Sequence, residues 1–166
     1  MRRVAFLAGL VGVAICPAVG ACTPAMDERV AIELQGDSIV RVDILLCENE
    51  SLHMMSLSEL ASSASLEWRA SNQSPEDRTG EAEWFSATLL EPPTGWAVEV
   101  DTLSELKDEV AYFLYVWTSD PPEFTMTFSL ADLRGLEPDQ VLVATQRGAR
   151  AMNRGDFDRG AWADCD

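Results

Sequence analysis

One histidine, His53, serves the whole chain of 166 residues, so any imidazole chemistry must be built around it. With Met54 and Met55 it forms a run of soft donors of the kind that hold Cu(I). A copper site of the His-Met kind also draws on a second histidine, which this chain lacks. Gly36-Asp37-Ser38 follows an apolar alternating stretch and offers a serine nucleophile. Such a serine needs a base, itself oriented by a third group. His53 has no aspartate three positions before it and lies close behind Ser38 in the chain, so the expected role of Gly36-Asp37-Ser38 is a hairpin turn. Asp156, Asp158, Asp164 and Asp166 gather acidic oxygens near the C-terminus that would suit Ca²⁺. An EF-hand loop counted from Asp156 puts Ala161 where glycine is needed and runs past the chain end before its final glutamate. The expectations are therefore a loop at His53, a solvated acidic tail, no catalytic residues, no metal and no cofactor. The alternative is a small secreted metal-handling (copper) or hydrolytic protein.

Cysteine chemistry is more specific. Val19-Gly20-Ala21-Cys22 resembles a lipobox, at which a lipoprotein leader is cut and a lipid is attached to the cysteine. Arg2 and Arg3 precede an uncharged, mostly apolar run over residues 4–19, the layout of an export signal. That run is shorter than the ~20 residues that span a bilayer. The chain thus divides into a leader, 1–21, a tether, 22–28, and a domain, 29–166, with palmitate-type acyl chains on Cys22. Each acyl CH₂ buried in the bilayer adds ~0.8 kcal/mol to the anchor. Cleavage at the same bond without lipidation would instead release a secreted protein. Of the four cysteines, Cys47 and Cys165 then remain as an even pair in an oxidising compartment, and a disulfide between them is expected.

The formal net charge is −16, and removal of Arg2 and Arg3 with the leader would take it to −18. Nucleic acid is an unsuitable partner for such a chain, because phosphate binding needs clustered Lys and Arg. Lying flat on an anionic bilayer is disfavoured for the same reason. The domain is long enough to bury a core of its own, and a monomer is expected.

The elements that must position these residues read mostly as strands. Val30, Ile32 and Leu34 alternate with other residues, Gln35-Gly36-Asp37 turns, and Val40, Val42, Ile44 and Leu46 alternate up to Cys47. This is a hairpin signal. Residues 48–65 predict a loop; Ser56-Leu57-Ser58-Glu59 matches a capping box, but the residues after it are too serine-rich for a helix. Strands are predicted around Trp68, over 81–89 and from Trp96 to Val100 by alternation. Thr102-Leu103-Ser104-Glu105 is a second capping-box match and predicts one or two helical turns.

Residues 110–117 are apolar on both faces, the mark of a central strand covered on both sides. Phe113, Tyr115 and Trp117 share one of those faces and are expected to fill the space between sheets or to lie under a loop, with an exposed binding patch as the alternative. Further strands are predicted at 124–128 and 141–144, separated by a connection over 130–140, and residues 147–166 read as a polar tail. Seven or eight short strands with polar turns make an all-β, single antiparallel β-sandwich the expected fold.

The lipobox, the stretch Arg41-Val42-Asp43-Ile44-Leu45-Leu46-Cys47, then Leu66-Glu67-Trp68-Arg69 and Phe128-Ser129-Leu130-Ala131-Asp132-Leu133 together resemble the small lipoproteins of actinobacteria with immunoglobulin-like sandwiches. The likeness covers most of the chain after the leader. It implies an envelope location and an Ig-like fold, and carries no active site. The expected function is a membrane-anchored extracytoplasmic lipoprotein, a non-catalytic binding or structural module whose partner is an envelope protein or a cell-wall polymer. In one respect the chain departs from an antibody-type domain. Its second cysteine lies at the C-terminus and not on the strand that holds Tyr112 and Tyr115.

Overall fold

Alternating apolar residues sort into two five-stranded antiparallel sheets in the computed structural model, which describes residues 28–60, 66–75, 80–119, 123–145 and 148–165. In chain order the elements are β1 (Val30–Gln35), β2 (Ile39–Leu46), β3 (Leu52–Glu59), β4 (Glu67–Asn72), β5 (Glu83–Thr88), β6 (Trp96–Asp101), β7 (Ala111–Thr118), β8 (Glu123–Ser129), α1 (Leu130–Arg134), β9 (Gln140–Thr145), β10 (Gly148–Asn153) and α2 (Arg154–Ala163). The first sheet runs β10-β9-β1-β2-β5 and the second β6-β4-β3-β7-β8. The all-β sandwich is as expected. Its strands number ten among the described residues, in place of seven or eight. The five-plus-five arrangement also differs from the four-plus-three of a constant-type immunoglobulin domain.

The β1–β2 hairpin forms as read. Gln35 pairs with Ile39 around a turn in which Gly36 takes φ +69°, a conformation that costs glycine little. From this hairpin Ile32, Val42 and Ile44 point inward, each fully buried. They meet Leu57 of β3, Trp68 of β4, Leu114 of β7 and Phe124 and Phe128 of β8 in one continuous core. Trp68, at 1% exposure, is the largest of the fully buried side chains.

Four expectations are corrected. Residues 52–59, read as loop, form β3 in the middle of the second sheet. Its register shifts between Leu52 and Met54, so His53 is an extra residue that breaks the two-residue period. Around Thr102 there is a loop and no helix. The Thr102 hydroxyl accepts from Glu67 N (2.9 Å) and donates to Glu67 O (3.0 Å), so it is spent on β4 and not on a cap. The connection after β8 contains α1, where Ser129 and Asp132 form a full capping box. The polar tail contains β10 and α2. These hide in sequence because β10 is an edge strand exposed along one side and α2 buries only Phe157 and Ala161.

The two sheets differ on their outer faces. On the first, α2 packs Phe157 and Ala161 over Ala31, Leu45, Val141 and Val143, with Trp84 beside them. The Cys47–Cys165 disulfide joins the end of β2 to the residue after the α2 cap, with Cα atoms 5.2 Å apart. On the second sheet no such layer is present among the described residues: α1 spans from β8 to β1 of the first sheet and buries Leu130 and Leu133 in the core between them, and α2 packs on β9 and β10.

Candidate functional site

Strand pleating puts Tyr112, Leu114 and Val116 of β7 in the core, so Phe113, Tyr115 and Trp117 must face outward. This overturns the expectation that these three rings fill the space between sheets. Phe113 and Tyr115 are half-buried by their strand neighbours, and Trp117 is 45% exposed. β7 is second from the edge, between β3 and β8. Its apolar outer face is therefore one on which no element packs among the described residues, and not a doubly covered centre.

The β3 bulge completes the surface. It turns both His53 and Met54 outward while Met55 goes to the core. The His53 ring stacks on Trp117 with centroids 5.0 Å apart and planes 29° apart. Across the strands, Tyr115 lies between Ser56 and Thr125, and Phe113 between Ser58 and Thr127. Burial raises the Tyr115 pKa above its ordinary value, and the hydrogen bond to the Glu123 carboxylate and its negative charge push it further. Charges lie toward the rim: Glu67 accepts from Arg69 at 2.5 Å, and Glu99 accepts from the Ser71 hydroxyl at 2.7 Å.

Two charged clusters escaped the sequence reading. On the first sheet Asp43, 3% exposed, accepts from Arg154 (2.7 Å), Arg41 (2.8 Å) and the Ser86 hydroxyl (2.6 Å). Arg154 also reaches Glu33 at 2.6 Å. Burial works against the Arg154 charge, but the bonds to Glu33 and Asp43 outweigh it and raise the guanidinium pKa. Clefts of about 450 and 320 Å³ open beside this cluster, but its charges already satisfy one another. Arg154 is the first residue of α2, so the cluster clamps that helix to the sheet.

The second cluster lies inside. Arg29 and Glu50, 2% and 7% exposed, pair at 2.5 Å. Glu50 also accepts from Thr118 Oγ1 (2.6 Å) and Cys47 N (2.9 Å), and Arg29 Nη1 lies 2.8 Å from Cys47 Sγ. This pair ties the starts of β1 and β3 to the end of β7, beside the disulfide. No sequence pattern points to either cluster, because each joins residues far apart in the chain.

Compared with protein-family models, curated proteins and solved structures, the chain shows no match. The site therefore rests on its own geometry.

The other residues singled out by sequence do not converge on one place. Cys22 and the lipobox lie outside the described residues, as does Asp166. Ser38 sits in the β1–β2 turn of the first sheet and His53 near the start of β3 in the second. The structure does not bring them together. His53 and Met54 share the outer face without Met55. Asp156 pairs with Arg159 on α2, and Asp164 accepts from Glu28 N at 3.0 Å. Among the described residues no group of three or more His, Cys, Asp or Glu is placed to hold a metal ion. No helix among them is long and apolar enough to cross a membrane.

Proposed function

We propose that this protein is an extracytoplasmic lipoprotein, held to the membrane through Cys22, that acts as a non-catalytic binding module of the bacterial envelope. The observation that carries the reading is the asymmetry of the sandwich. One outer face is sealed by a helix, a disulfide and a charged clamp, while the other presents Trp117, His53, Tyr115 and Phe113 with no described element packed on it. Exposed aromatic rings on a rigid sheet cost little entropy to immobilise, which suits them as anchors for a partner. The disulfide is compatible with an oxidising compartment. Glu28, the last residue of the tether, is tied to Arg150 and Asp164, so the chain enters the sandwich at the edge that carries α2 and leaves the aromatic face clear of that contact. The resemblance to actinobacterial lipoproteins with immunoglobulin-like sandwiches points to the same location.

The test is retention on isolated envelopes. Full-length protein with Trp117→Ala and Tyr115→Ala is expected to lose retention that wild type shows after its lipid has been removed by lipase. Equal retention of variant and wild type overturns the binding face. Mass spectrometry of the mature N-terminus is expected to show an acylated Cys22, and an unmodified one overturns the anchor.

A further inference from the structure

We infer that the open face of the second sheet binds a neutral, extended glycan chain laid along β7; this deepens the binding-module reading and rests on it. Phe113, Tyr115 and Trp117 lie at every second residue on one face, so the track they form is about 14 Å long. A linear ligand with repeated flat units fits such a track better than a compact one. A pyranose ring has a C–H face that packs on an aromatic ring and an edge of hydroxyls that needs donors and acceptors. The track supplies both. Its rings are flanked in register by the hydroxyls of Thr125 and Thr127 on one side and Ser58 on the other.

Charge decides between ligand classes. Arg69 is already paired with Glu67, Glu99 with Ser71, and Glu123 with Tyr115. The centre of the track is uncharged. A phosphate or carboxylate laid there would be desolvated with no unpaired cation among the described residues of the face to receive it, and the chain's overall charge of −16 would repel it. Among the described residues a cationic segment would meet the Glu123 carboxylate at the Trp117 end, already engaged by Tyr115. A neutral hydroxylated chain loses least. The His53 stack holds the Trp117 ring in place before the ligand arrives, which lowers the ordering cost of binding.

The experiment is titration calorimetry of the full-length, detergent-solubilised protein with chitohexaose and cellohexaose. Saturable binding of at least one of the two is expected, with little change on adding salt because no ion pair forms. Trp117→Ala should weaken it about tenfold, as loss of an anchoring aromatic does, and Trp117→Phe should restore most of it. Urea midpoints of both variants should match wild type, because Trp117 is a surface residue. Absence of binding to both probes overturns the glycan inference. If Trp117→Ala still abolishes envelope retention in that case, the face binds a protein or another envelope component and the module reading stands. Glycan binding that survives Trp117→Ala unchanged overturns the assignment of this face.

Discussion

At the scale of single residues, the most constrained charge on the first sheet is Asp43. It lies 4% exposed under two arginines and a serine hydroxyl. Asp43→Asn keeps the shape and removes the charge that both guanidinium groups face. Breaking a buried pair costs about 3–5 kcal/mol, but Arg154 keeps Glu33 and is 26% exposed, so a loss of about 2–3 kcal/mol is expected in urea unfolding. The two tyrosines report on the second sheet from opposite faces. Burial raises the pKa of Tyr112; the Lys107 N–H that it accepts opposes this, and Glu59 and Glu105 add to it. Tyr115 is raised by burial and then by Glu123. Both phenols hold their protons more tightly in the folded protein than in the unfolded chain. The stability this contributes is complete below the unfolded value of about 10 and is lost as the pH rises through the folded values. Ultraviolet titration should find both tyrosines ionising above free tyrosine, and Glu123→Gln should lower Tyr115 alone.

At the scale of elements, α2 depends on three attachments: the apolar contacts of Phe157 and Ala161, the Arg154 clamp and the disulfide. A ten-residue helix is too short to persist in water unaided. The disulfide closes a separation of 118 residues, for which chain entropy alone would give about 4.7 kcal/mol, and measured values usually fall below this. Cys165→Ala is expected to cost about 2–4 kcal/mol in urea unfolding. It should also speed amide exchange in α2 ahead of the β1–β2 hairpin, because the bond is one of the three attachments that hold the helix. Equal protection of α2 in variant and wild type would show that the apolar contacts and the clamp suffice. Sequence reading found this pair of cysteines by counting, but missed the helix they pin. The reason is that α2 shows only a narrow apolar stripe, with two glycines in its length.

At the scale of the whole molecule, the dominant fact is an acidic chain around an apolar core. A net charge of −16 repels itself, and that repulsion is screened beyond about 10 Å in 0.1 M salt. The buried pairs Arg29–Glu50 and Arg154–Asp43 are screened far less. Added sodium chloride is therefore expected to raise Tm, and a fall would mean that exposed ion pairs outweigh the repulsion. The same field leaves neutral ligands unaffected, so affinity at the aromatic face and stability should respond differently to salt.

Sequence alone determined the class of fold. Alternation over β1, β2, β4 and β8 is a local property, since a pleated strand sends every second side chain to the same side wherever its partners are. The turn at Gly36 and the cysteine pair are local or countable as well. Tertiary structure decided the site. Phe113, Tyr115 and Trp117 were legible as one face of one strand, but the same alternation fits a covered face and an open one. The choice depends on which elements pack there. The bulge at His53, which brings the imidazole onto Trp117, exists only because β3 and β7 pair with one residue out of step. The clamps of Arg154 on Asp43 and Arg29 on Glu50 join residues 111 and 21 positions apart. Such contacts follow from strand register and sheet order, which a periodic pattern leaves open because many pairings bury the same apolar residues.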